Sequence, residues 1–374
     1  MGQLLMRVNA STFTLSILRF TMSDNEKRHR EIDALGEFGL IDTLTKDATL
    51  KNPSSILGVG DDAAEIDLSA KESMLVSSDM LIEGIHFNLS YVPLKSLGFK
   101  AVSVNVSDIF AMNGKPEQLT VSLGVSSKFP IEALEELYKG IHAACSFYNV
   151  DLVGGDTVSS LSGLVLSISV IGRVAKKKIT YRNGAKENDL VVVTGDLGSA
   201  YLGLQILERE KGVFLENPDI QPKLEGYDDL IKKQIQPIAR QDVIDMFDEL
   251  ELVPSAMIDI SDGLASEALH IAKSSDCSLS LYSDKLPITE KLIVTADELN
   301  LDPYMCAMNG GEDYELLFTV SQKDYDKIKN HPSFSVIGFV TDKSQDSLLI
   351  DKNNSAVRIS AQGWKHFNLF WEAE

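Results

Sequence analysis

The chain has no apolar run of about 18 residues, no basic excess and no clustered cysteines, and each absence removes a class of function. Without such a run no segment reads as a membrane span, so a membrane is not an expected partner. Lys and Arg number 35 against 55 Asp and Glu, a formal net charge of −20. Nucleic-acid binding uses basic surface to displace counterions, so nucleic acid is not expected either. Cys145, Cys277 and Cys306 are scattered, with no C-x-x-C spacing and no zinc-type histidine pairs. They read as reduced, buried thiols of a cytoplasmic protein. The Walker loop G-x-x-x-x-G-K-[ST] and the H-E-x-x-H signature are missing, so phosphates would not sit on a Walker lysine. An apolar stretch lies before Phe20, but Arg7 and Arg19 bracket it and no small-residue cleavage site follows. Residues 1–25 therefore read as a weakly ordered extension, with Met22 a possible alternative start.

What remains is a chain of 374 residues and 41.1 kDa, with 44% hydrophobic and 24% charged residues. That is ordinary for a globular protein and long enough for two domains. At Gly58–Ala64 the sequence GVGDDAA puts Asp61 and Asp62 side by side on a glycine-framed turn. Two short hard-oxygen ligands there suggest a divalent cation; a turn with two solvated acids is the other reading. Gly58, Gly60 and Ala63 also match a dinucleotide fingerprint. The next residues look like more strand rather than the start of a helix, which argues against it.

From Glu31 onward, Ile32, Leu35, Phe38, Ile41 and Leu44 recur at near-helical spacing and predict an amphipathic helix. Glu72 to Asp79 reads as a strand whose end delivers Ser77, Ser78 and Asp79, followed by a short loop to His86. Leu94 to Met112 reads as a helix in which Asn105 and Asp108, three apart, share a face. A strand over 118–125 and a helix over 131–148 lead to a short strand at Leu152 and Val153. That strand is expected to end in the turn Gly154, Gly155, Asp156 and Thr157. Leu164 to Val174 has the continuous apolar or small character of a strand buried on both faces, and a domain boundary is expected near Ala175. A second α/β unit restarts at Asp189, with an exposed insertion over 211–226, helices near Leu230 and at 243–250, and a strand 256–260. The turn Ser261, Asp262 and Gly263 then precedes a helix over 264–272, with later strands at 278–282, 314–320, 334–340 and 347–350. Mixed strands and helices in both halves give an α/β or α+β class, mixed sheets flanked by helices.

Acids recur at the small-residue turns: Asp61 with Asp62, Asp79, Asp156, Asp259 with Asp262, and Glu312 with Asp313; Asp108 adds a helical one. Brought together, such carboxylates repel by roughly 4 kcal/mol per pair at about 4 Å and an effective dielectric of about 20. Divalent cations relieve that repulsion, and magnesium combines a few carboxylates with substrate phosphates. Phosphoryl transfer on aspartate-held Mg²⁺ is the chemistry this composition favours.

The motifs GVGDDAA, SSDMLIEGIHF, NVSDIFAM, VGGDT, YRNGAK, IDISDGL and NGGEDYELLF resemble, in this order, those of the thiamine-monophosphate kinases. That family lies in the superfamily that also contains aminoimidazole ribonucleotide synthetase, and the resemblance spans roughly residues 35–367. It implies that Asp62, Asp79, Asp108, Asp156 and Asp259 hold the catalytic Mg²⁺ ions, with Ser77 and Ser78 adding oxygens and Asp262 a further ion. Gly155, Asp156, Arg182, Ser261 and Tyr138 would meet ATP, and His86, Glu312 and Trp364 would meet thiamine monophosphate. An acid can complement the cationic thiazolium and the aminopyrimidine, and an aromatic face suits a flat cation. The implied architecture has an N-terminal metal- and nucleotide-binding, dimerising domain (26–175) and a C-terminal domain (176–374) that completes the ATP and substrate site, in a homodimer. The expected reaction is ATP-dependent phosphorylation of thiamine monophosphate to thiamine diphosphate. An aminoimidazole ribonucleotide synthetase-type enzyme and a non-catalytic nucleotide- or cation-binding protein are the alternatives. Two features depart from the pattern: Asn113 stands where a glycine is expected, and neither the extension nor the insertion carries a motif.

Overall fold

The computed structural model describes residues 32–361. Helix α1 (Ile32–Thr45) forms where its spacing predicts, yet Leu44 on its apolar stripe is exposed. It belongs to a compact unit separate from the body that begins at Thr49.

That body holds two mixed sheets. The first has the strand order β1-β2-β3-β6-β4-β5 and is built from β1 (Ser55–Leu57), β2 (Ala64–Asp67), β3 (Glu72–Ile82), β4 (Lys115–Val125), β5 (Asp151–Ser159) and β6 (Val165–Ala175). Neighbours run antiparallel except β4 and β5. Alternating Leu75, Leu81, Leu119, Val121, Leu123, Leu166, Ile168 and Val170 bury one face against α2 (Leu94–Ala111) and α3 (Ile131–Tyr148). Each fully buried aliphatic of this kind stabilises by about 1.5–3 kcal/mol. The helices touch backbone to backbone, since a Cβ at Gly98 would lie 2.1 Å from the Leu137 carbonyl and one at Gly140 1.9 Å from that of Lys95. Only glycine permits that approach.

The second sheet has the order β13-β12-β9-β11-β7-β10-β8. Its strands are β7 (Leu190–Thr194), β8 (Ala256–Asp259), β9 (Ser278–Tyr282), β10 (Leu316–Val320), β11 (Phe334–Thr341), β12 (Leu348–Ile350) and β13 (Ala356–Arg358). Around it lie α4 (Ser199–Glu216), α5 (Asp228–Ile235), α6 (Gln241–Glu249), α7 (Leu264–Ser274), α8 (Glu290–Glu298), α9 (Pro303–Asn309) and the single turn α10 (Tyr325–Ile328). Val191, Val193, Ile258 and Leu317 pack on α7, whereas Val192, Met257, Leu316 and Phe318 join α2, α3 and α6 in the core of the first sheet. The central strands of this sheet are thus buried on both sides.

Several expectations are corrected. Strand β3 continues to Ile82, so Ser77, Ser78 and Asp79 lie within a strand rather than at its end. Strand β5 likewise runs through Gly154, Gly155, Asp156 and Thr157, because parallel pairing with β4 extends what those residues alone would make a turn. Helix α4 carries on to Glu216, into the segment expected as an insertion. Asn113 takes a left-handed φ of 59°, which an asparagine tolerates, and its amide donates to the Lys178 carbonyl at 2.8 Å. The dinucleotide reading of the glycine turn fails on the structure as well, since β2 rather than a helix follows it.

Candidate active site

Helix α2 organises the site. It is buried on nearly every side although it carries Lys100, Ser103, Asn105 and Ser107, so each polar group needs a partner. Ser103 Oγ lies 2.9 Å from the Tyr148 hydroxyl. The Asp79 amide donates to Asn105 Oδ1 at 2.9 Å, which fixes the backbone of β3 beside the helix. Ser107 Oγ donates to Asp259 Oδ2 at 2.5 Å, and Ser77 Oγ donates to Asp108 Oδ2. One helical turn therefore ties the Asp259 carboxylate of the second sheet and, in the first, the Ser77 hydroxyl and the Asp79 backbone.

The result is a cluster in which Asp62, Asp108 and Asp259 each offer an oxygen within 4.8 Å of the others. Burial, followed by the charge of Asp62, pushes the Asp259 carboxyl up to about 7. Burial and then Asp79, Asp259 and Asp62 hold Asp108 well above the carboxylate range. Asp79 is close enough to act on both. Arg182 closes one side, its Nη2 2.6 Å from Asp62 Oδ1 and its Nε 3.1 Å from Oδ2. Asp61 does not join the cluster: its Oδ1 accepts the Asp62 amide and its Oδ2 the Arg182 amide, both at 3.0 Å. Burial first, and then Asp62, raise it to about 7. It shapes the turn and ties the Arg182 segment to it. Hard oxygens in a buried, mutually repelling set suit Mg²⁺, which would be held by Asp62, Asp108 and Asp259.

The loop after α9 is strapped to the loop after β8. Glu312 N donates to the Ser261 carbonyl at 2.6 Å and Tyr314 N to that of Ile260 at 2.8 Å. Glu312 and Tyr314 both take positive φ, and a Cβ on Gly311 would lie 2.6 Å from the Ser261 carbonyl. Strained backbone of this kind persists only where its surroundings hold it. The Tyr314 phenol is pushed well above its ordinary value by burial, and then by Glu312, Asp79 and Asp259.

Residues 60–174 match the family model "AIR synthase related protein, N-terminal domain". Thiamine-monophosphate kinase of Bacillus subtilis is 34% identical over 338 residues, covering 89% of this chain and 100% of its own. The kinase of Aquifex aeolicus is 33% identical, covering 89% and 98%. The chain belongs to the thiamine-monophosphate kinase family. A solved structure, AaThiL complexed with AMPPCP and TMP, superposes with a TM-score of 0.76 at 32% identity over 91% of this chain and 100% of that one.

Other residues that the thiamine-monophosphate kinase pattern singles out are spread more widely. Asp79, Ile168, Val121 and Gly155 pair across the first sheet and share its helix-covered face. Met80, Ser167, Ser122 and Asp156, one step on, share the other face. Asp156 is thus exposed and separate from the cluster, its Oδ1 accepting the Thr157 amide at 2.9 Å. Ser78 shares that face, with its Oγ 3.0 Å from Ser169 Oγ. The Asp262 amide donates to Glu267 Oε1 at 2.9 Å at the start of α7. His86 follows β3, and its Nδ1 accepts the Ile82 amide at 3.0 Å. Tyr138 lies on α3 beside Leu137, where that helix meets Gly98, about 15 Å along α2 from Asp108 at 1.5 Å per residue. Trp364 lies outside the described residues. Sequence reasoning missed Ser107, Lys100 and Gln234. The signal for the first two was available, as polar residues on an otherwise apolar helix; Gln234 had none.

Proposed function

We propose that the protein transfers the γ-phosphoryl group of ATP to thiamine monophosphate, forming thiamine diphosphate with the help of several Mg²⁺ ions. The observation that carries this reading is the convergence of Asp62, Asp108 and Asp259 in a chain of this family, one relative of which binds AMPPCP and TMP. Bound Mg²⁺ would neutralise charge on the transferring phosphoryl group.

The chain's own residues position that chemistry. Ser107 and Ser77 hold Asp259 and Asp108 in fixed directions, and Asn105 fixes the strand that carries Asp79. Arg182 supplies positive charge beside Asp62, where a nucleotide phosphate would arrive, with Ser261 and Gly155 as further nucleotide contacts and Tyr138 a weaker one. Asp79 and Asp262 extend the metal set, Ser78 and Asp156 on the opposite face of the first sheet would serve a separate ion, and His86, Glu312 and Trp364 take the acceptor. The acceptor is already an ionised phosphate, so no strong general base is needed, and orientation with charge stabilisation carries the rate.

The uncovered face of the first sheet supports a homodimer. Met80 and Val158 are 51% and 55% exposed there, a second copy would cover them, and Asp156 lies on that same face. A division into two α/β domains near Ala175 and a cytoplasmic setting complete the reading. A coupled assay with ATP, Mg²⁺ and thiamine monophosphate should yield thiamine diphosphate. Folded protein that forms none, or that turns over an aminoimidazole precursor instead, overturns the assignment.

A further inference from the structure

Lys100 is 2% exposed, on the helix that carries Asp108. A buried ammonium is costly unless it is paired and hydrogen-bonded. Its Nζ lies 2.7 Å from Glu312 Oε1 and donates to the Gln234 carbonyl at 3.1 Å. The Gln234 side chain donates through Nε2 to the other Glu312 oxygen. Both carboxylate oxygens are therefore held, one from α2 and one from α5, while the Glu312 side chain stays 27% exposed.

This changes what Glu312 can offer a ligand. Paired with Lys100, it presents no net charge and is a poor counter-ion for a cation. Each oxygen still has an unused acceptor direction, because a carboxylate oxygen carries two lone pairs. Gln234 Oε1 is also buried without a partner among the described residues, a second acceptor at the same place.

We propose that Lys100 and Gln234 are positioning residues that lock Glu312 as a charge-cancelled hydrogen-bond acceptor. The substrate end of the site then recognises an N–H donor on the acceptor's ring, such as an exocyclic amine, rather than the ring's positive charge. The proposal rests on the reading of the chain as a thiamine-monophosphate kinase with Glu312 facing that substrate.

The two modes of Glu312 predict opposite signs for Lys100→Met. If Glu312 were a counter-ion, removing Lys100 would release its charge and lower the KM for the cationic substrate. As a held acceptor it loses its orientation, and KM for thiamine monophosphate should rise about tenfold, the scale of one hydrogen bond to a charged group. KM for ATP should stay within about twofold, since that pocket is untouched. Calorimetric affinity for thiamine monophosphate without ATP should fall in parallel. Gln234→Leu keeps the ion pair but removes the second donor, and it should raise the same KM by about threefold; it carries the test alone if Lys100→Met does not fold. An unchanged or lowered KM for thiamine monophosphate, or equal changes in both KM values, overturns the proposal. Wild-type turnover of thiamine monophosphate is the control that separates this failure from failure of the functional reading.

Discussion

The two sheets solve burial differently. In the second, β7, β8 and β10 are covered on both sides, and nearly every residue of LVVVT, AMID and LLFTV is buried. In the first, apolar and small or polar residues alternate along β3 and β6, and only one face is packed. A sheet with one free face can place chemistry on either side. Asp79 and Ser77 turn to the helix, whereas Ser78 and Asp156 turn away. The second sheet contributes its carboxylate, Asp259, at the end of β8, buried at 4% exposure and held by Ser107 of the helix.

The contrast can be broken most sharply at the cluster that joins the sheets. Asp259→Asn removes one of three converging carboxylates and should cut kcat by about a thousandfold or more, by analogy with loss of a transition-state stabilising group. It should also raise the metal-free melting temperature, because the remaining acids repel less. Thermal melts with and without Mg²⁺ read this out, and a variant that is both active and unchanged in stability refutes the metal role.

Next in size is the core of the doubly covered sheet. Phe318 is fully buried, with ring centroids 5.2 Å from Phe247 and 5.6 Å from Phe334. Phe318→Ala should cost about 3–5 kcal/mol in chemical denaturation. A loss near that of an exposed site would contradict the burial described.

Protonation gives a smaller effect of definite sign. Asp61 and Asp259 are raised from 3.8 to about 7 without metal, so the folded state keeps protons that the unfolded chain releases. Their contribution is full below about pH 4 and is lost as pH rises towards about 7, opposite to a paired carboxylate. Metal-free melting temperature should therefore fall across that window, and saturating Mg²⁺ should flatten the curve. Parallel curves would count against cation binding at the cluster that contains Asp259.

The smallest effect on monomer stability is expected on the free face. Met80→Asp should change it by about 0.5 kcal/mol or less, yet light scattering should report half the wild-type mass. A wild-type protein that is already monomeric removes the homodimer.

Much of this was legible in the chain. The α3 helix was readable to its ends because its apolar positions follow the helical period; β6 was readable as a strand from its apolar and small residues, but it is packed on one face rather than on the two expected, because Ser167, Ser169 and Arg173 face away from the helices. The strand through VGGDT was not, since glycine and aspartate favour turns locally and only the β4 ladder makes them extended. Helices α8 and α9 were missed, and α4 runs into the segment expected as an exposed insertion. Among the site residues, Asp62, Asp108 and Asp259 were identified by motif and do converge. Lys100 could be seen as a charge on an apolar helix, but its partner Glu312 is 212 residues away, which no local pattern encodes.

The sequence by itself determined the chemistry on offer: an acidic chain without Walker or zinc signatures, with aspartates at small-residue positions in the order of a known family. Periodicity determined most of the elements, because 3.6- and 2-residue repeats follow from backbone geometry alone. Tertiary structure alone decided which acids share a site, which face of the first sheet each one occupies, and that Glu312 is neutralised by Lys100. Those outcomes depend on strand register and helix docking, where a shift of one residue would turn Asp79 to the opposite face.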